Sequence, residues 1–61
     1  MIIYITLKDG VTLKSDSNLG LNLSTVEEVM ECLEHQGFYR LTLSNGQVEK
    51  IYSHEVREVS Y

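Results

Sequence analysis

The sequence predicts an α+β fold in which one helix packs on one face of a small antiparallel sheet of four to five strands. Three observations lead there. Four short segments alternate in polarity or are rich in β-branched and aromatic residues. Between the second and third of them, one segment repeats its apolar residues at helical spacing. All four glycines, Gly10, Gly20, Gly37 and Gly46, fall at breaks between segments and never inside one. Glycine supplies the positive φ that turns and helix ends require, and this agreement between local signals and element boundaries makes a fold assignment consistent.

The elements follow in chain order. "IIYITL" (2–7) has strand composition and "VTLKS" (11–15) alternates, and the "KDG" between them is a tight-turn signal, so they form a hairpin. "DSNLGLNL" is a loop whose leucines at 19, 21 and 23 serve to cover the open end of the core; exposed, they would form an apolar loop for a partner. The helix start is marked twice, since Ser24 with Glu27 and Thr25 with Glu28 both have capping-box spacing. Val26, Val29, Met30 and Leu33 then recur at i, i+3, i+4 and i+7 and make one apolar stripe. Gly37 ends the helix, with Leu33 and Phe38 placed as the apolar pair of a Schellman ending. "FYRLTL" (38–43) and "QVEKIY" (47–52) flank Asn45-Gly46, the strongest short hairpin signal. The tail reads as a short turn from Ser53 followed by a short strand at 56–60. The order is ββαββ with that fifth strand, and a helix laid across one antiparallel sheet follows from it.

Length and composition bound the classes of function. Sixty-one residues make one domain at most. A chain this short buries about 60% of the surface it exposes when unfolded, so its stability is marginal without added support. A lone cysteine, Cys32, excludes an intrachain disulfide, and one Cys with two His does not supply a structural zinc site. Self-association is the remaining device, which points to a homodimer. The hydrophobic fraction of 43% suits a folded domain. The run "MIIYITL" is too short for a signal peptide or a membrane span. With a single thiol and no export signal, the reading is cytoplasmic, with no membrane partner.

The formal net charge is −4, and its distribution is uneven. Glu27, Glu28, Glu31 and Glu34 lie in the helix segment with no lysine or arginine, while the other five acids balance the five Lys and Arg of the chain. The whole excess is therefore helical. Glu27 and Glu31 are a like-charge i,i+4 pair, unfavourable by about 0.2–0.5 kcal/mol, and Glu34 near the C-terminus gains nothing from the helix dipole. Local stability alone favours lysines here. The functional reading is a face that docks on a basic protein surface, such as a nucleic-acid-binding site; the plain alternative is a solvated face that keeps a small protein soluble.

Strand parity places Ile3, Ile5, Leu13, Leu41 and Ile51 inward. It sends Tyr4, Thr6, Thr12, Lys14, Arg40, Thr42, Val48, Lys50 and Tyr52 to the opposite face, which then holds three cations, two tyrosines and no carboxylate. Such an open face suits single-stranded nucleic acid, with rings stacking on bases and cations meeting phosphates. It equally suits a dimer face, or an ordinary half-exposed antiparallel sheet.

Catalytic and metal chemistry find little support. Glu31 and His35 are i,i+4 but lack a third ligand, and no HExxH pattern is present. His35 reads as a charge partner of the helix C-terminus. Cys32, on the flank of the stripe, reads as a packed or half-packed thiol rather than a nucleophile. His54 beside Glu55 reads as a surface pair. So short a chain implies little concave volume for a ligand pocket. No cofactor and no enzymatic activity are expected.

The opening "ITLKDG" and the closing "YRLTLSNG…SHEVREV" resemble the small single-domain proteins carried by phages and prophages of low-GC Gram-positive bacteria. The resemblance runs over most of the chain and transfers no site residue. It implies association with a mobile element, where short acidic proteins act as inhibitors or adaptors of other proteins. The sequence thus predicts a non-enzymatic interaction module that docks the Glu27, Glu28, Glu31 and Glu34 face on a basic partner. The alternatives are a single-strand nucleic-acid binder using Tyr4, Lys14, Arg40, Lys50 and Tyr52, and a structural homodimer.

Overall fold

The computed structural model describes residues 1–61. Its elements are β1 (Ile2–Leu7), β2 (Thr12–Asp16), helix α1 (Val26–Gln36), β3 (Phe38–Thr42), β4 (Val48–Tyr52), a 3-10 turn (Ser53–Glu55) and β5 (Val56–Ser60). All the predicted elements are present, within a residue or two of their expected limits. The sheet is not single, however. β2, β1 and β5 form a three-stranded antiparallel sheet with β1 in the middle, and β3 and β4 form a separate two-stranded one. The 3-10 turn carries the chain away from β4, so that β5 pairs with β1 in the register Tyr4↔Ser60 and Ile5↔Val59, with a bulge between Thr6 and Leu7.

Both hairpins are built the same way. Leu7 N–H donates to Val11 C=O (2.7 Å), and Leu43 N–H donates to Gln47 C=O (2.8 Å), so each closes a three-residue loop. The last loop residue is Gly10 or Gly46 at positive φ, and no other residue type has one. Asn45 therefore keeps a negative φ, and its turn is the three-residue kind rather than the two-residue type I′ that Asn-Gly also supports. The middle residue braces the loop in each case. Asp9 Oδ1 accepts from Val11 N–H and Asn45 Oδ1 accepts from Gln47 N–H, both at 3.0 Å.

The core is a cluster of Ile3, Ile5, Val29, Leu33, Tyr39, Leu41 and Ile51. Of the residues placed inward by parity, only Leu13 is less than fully buried, and it packs against this cluster. On the helix, Val29 and Leu33 are buried and Val26 and Cys32 pack at the edge. Met30, expected within the stripe, is instead 55% exposed. It lines a surface groove of about 450 Å³ between α1 and β5, floored by Leu33, Val56 and Val59. The buried part of the apolar stripe is therefore narrower than its spacing implies, with Val29 and Leu33 at its centre.

Two polar side chains join the sheets. Asn22, 8% exposed, donates from Nδ2 to Asp16 C=O and Thr42 C=O (both 2.9 Å), and its Oδ1 accepts from Thr42 N–H (2.8 Å). It thereby occupies the place of a further strand beside β3. Gly20 lies so close to Thr42 that a Cβ there would clash with the threonine side chain, and its φ of 51° is left-handed as well. The Tyr39 hydroxyl bonds the buried Ser15 hydroxyl (2.9 Å) and accepts from Leu23 N–H (3.0 Å), which ties β2, the loop and β3 together. Leu23 packs on the core, but Leu21 is 94% exposed, so the leucine loop covers the core only in part.

Candidate functional site

Two charged surfaces result from this packing. The first is the outer face of α1. Thr25 is the N-cap: its Oγ1 accepts from Glu28 N–H (3.2 Å) and donates to Glu28 Oε1 (2.9 Å), while Ser24 Oγ donates to the same carboxylate oxygen (3.1 Å). The Tyr61 hydroxyl accepts from Val26 N–H (3.2 Å) and reaches Glu27 Oε2 (3.4 Å). At the other end, Gly37 N–H donates to Leu33 C=O (3.0 Å) with Gly37 at φ 81°. That is the simpler αL ending and not the Schellman pair expected of Leu33 and Phe38. Phe38 instead enters β3 directly, and the Cys32 thiol donates to its carbonyl (3.3 Å).

All four helical glutamates are exposed. Their roles differ, however. Glu27 and Glu28 take part in the contacts that close the N-terminus, where the helix dipole also favours them. Glu31 and Glu34 stand beyond those contacts. His35 lies in the last turn. No three His, Cys, Asp or Glu side chains come together in a group able to hold a metal ion.

The second surface is the outer face of the β3–β4 hairpin. The five residues expected on one open sheet face fall into two groups. Tyr4 and Lys14 are cross-strand partners on the β1–β2 sheet. Arg40, Lys50 and Tyr52 lie on the other sheet, where Arg40 pairs with Lys50 and Phe38 with Tyr52. Lys50 Nζ sits 4.3 Å from the Phe38 ring centroid and 5.4 Å from that of Tyr52, and the Arg40 guanidinium lies 5.6 Å from Phe38. The Phe38 and Tyr52 centroids are 6.5 Å apart at 58°, and His54 stacks on Tyr52 at 5.7 Å and 25°. His54 is thus not a surface pair with Glu55, whose carboxylate accepts from Tyr52 N–H (3.2 Å).

Phe38 and His54 are the two members of this group that parity reasoning left out. Phe38 has the same parity as Arg40, a signal available in the alternation, but its assignment to the helix ending masked it. His54 reaches Tyr52 only because the 3-10 turn folds it back, which strand parity does not predict. Beside Phe38 and Arg40 opens a second groove of about 430 Å³, lined also by Leu21, Leu23 and Cys32. With the groove beside Met30, the surface holds more concave volume than the chain length implied. Both grooves are open, and Glu34, Ser53, Arg57 and Glu58 also line the first. No helix is long and apolar enough to cross a membrane.

Comparison with protein-family models, curated proteins and solved structures finds no match for this chain.

Proposed function

We propose that this protein is a non-enzymatic interaction module, an inhibitor or adaptor, that docks the outer face of α1 on a basic surface of a partner protein. The observation that supports this reading is the confinement of the whole net charge to one exposed helical face. The helix is closed at both ends and committed to the core through Val29 and Leu33, so its acidic side, from Glu27 to Glu34, is held as a rigid strip about 10 Å long. Glu31 and Glu34 are the members of the strip free to meet a partner without loss of a helix-capping contact. Complementary charge of this kind chiefly speeds encounter and selects the partner, and its effect falls with ionic strength.

The test is charge reversal. The wild-type protein and the variant Glu27→Lys/Glu31→Lys/Glu34→Lys are each immobilised and challenged with a nuclease-treated Gram-positive bacterial lysate. The wild type is expected to retain a discrete basic protein that high salt releases and that the triple variant no longer retains. Equal retention by a variant whose circular dichroism shows the native fold rejects the acidic-helix reading. The double variant Glu31→Lys/Glu34→Lys spares the N-terminal contacts and serves where the triple variant does not fold.

A further inference from the structure

We propose that the outer face of the β3–β4 hairpin is a binding site for single-stranded nucleic acid, in which Arg40 and Lys50 hold phosphates and Phe38, Tyr52 and His54 stack on bases. The site is separate from the acidic helix. Tyr39, Leu41 and Ile51 point inward to the core they share with Val29 and Leu33, so the helix covers the inner face of the hairpin and the cations lie on the opposite one. Glu49 pairs with the inward Leu41 and so alternates away from the cations, although it is exposed, and the Glu55 carboxylate accepts from the Tyr52 backbone N–H. No carboxylate of the two strands therefore shares the outer face with the cations.

Three features favour this ligand. Arg40 and Lys50 are direct cross-strand partners. Like charges in that position destabilise a sheet, and an anionic ligand removes the penalty. Phe38, Tyr52 and His54 form a row of rings with centroid separations of 6.5 and 5.7 Å; Phe38 is half-buried and tilted 58° from Tyr52, while Tyr52 and His54 are exposed and offer ring surface for stacking. Finally, the free cations rest on the rings themselves, Lys50 over both Phe38 and Tyr52. A ligand that takes only the rings strips them of their cations, and one that takes only the cations leaves the rings bare. A strand that offers phosphate and base in alternation satisfies both at once, which an acidic peptide does not. The chain's overall negative charge argues against duplex binding, where affinity comes from many phosphates. It acts less on a short single strand held at one local patch.

Fluorescence anisotropy with labelled oligothymidylate and oligouridylate of about ten nucleotides tests the proposal. Binding is expected at low salt and should weaken linearly in log–log form as salt rises. Arg40→Ala/Lys50→Ala should weaken it at least tenfold and reduce the salt slope by about 0.7 for each cation removed. Tyr52→Ala should weaken it about tenfold and leave the slope unchanged. Absence of binding by the wild type at low salt overturns the proposal. So does polyglutamate binding as tightly as the oligonucleotide, which makes the face a generic anion or acidic-peptide surface. Amide chemical-shift mapping of the wild-type protein needs no variant. Changes centred on 38–42 and 48–54 support the site, and changes centred on Tyr4 and Lys14 overturn it.

Discussion

One oxygen atom, the Tyr39 hydroxyl, links three segments of chain that are distant in sequence. It bonds the Ser15 hydroxyl of β2 and the Leu23 N–H of the loop while its own ring lies in the core. Removing that oxygen leaves two polar groups without partners, Ser15 in a site closed to water. Tyr39→Phe should therefore cost about 1–3 kcal/mol in urea unfolding, and the double variant Tyr39→Phe/Ser15→Ala should recover part of the loss by removing the orphaned hydroxyl. A single variant as stable as the wild type excludes the linking role. Tyr39 shares the parity of Leu41 but is absent from the residues that the sequence reading places inward, and its partner is not legible at all, because nothing in the local pattern brings β2 near β3. Asn22 is similarly hidden: it sits among leucines in a loop, and its three bonds exist only where two sheets meet. Leu21 pays for no burial at all in return for its hydrophobicity, and a leucine in a loop carries no sign of which side it will take.

The helix and the hairpins were the more legible elements, since their signals are local. Two capping frames were open at the helix start, and the structure selects Thr25, whose hydroxyl accepts the Glu28 N–H. Thr25→Ala should consequently lower stability by about 1 kcal/mol, whereas Ser24→Ala, which loses only an exposed contact to the Glu28 carboxylate, should change the thermal midpoint much less. Equal losses show that the two frames share the cap. The helix end was placed at the right glycine but with the wrong motif. A Schellman ending needs Phe38 to fold back on Leu33, and strand pairing with Tyr52 takes Phe38 to the outer face of β3 instead. That competition between a helix ending and a strand beginning is decided by the longer pairing. It is also what delivers an aromatic ring to the proposed nucleic-acid site.

Considered as a whole, the molecule measures 24 × 22 × 19 Å and has only seven buried hydrophobic residues, so each peripheral strand matters to its stability. β5 contributes Val56 and Val59 to the core edge, pairs with the central strand β1, and leads to Tyr61 at the helix N-terminus. A chain ending at Glu55 should lose cooperative thermal unfolding and show broad, weak transitions by circular dichroism; a sharp transition at the wild-type midpoint shows that β5 is dispensable. Periodicity, turn chemistry and charge count were enough for the elements, their order, most of the core residues and the gathering of four glutamates in the helix segment, because each depends on residues close together in the chain. The tertiary structure alone decided the division into two sheets, the return of β5 to β1, the exposure of Met30, and the gathering of Phe38, Arg40, Lys50, Tyr52 and His54 on one face. The reason is that strand pairing and sheet closure are settled by which distant edges satisfy each other's backbone groups, and no single segment carries that information.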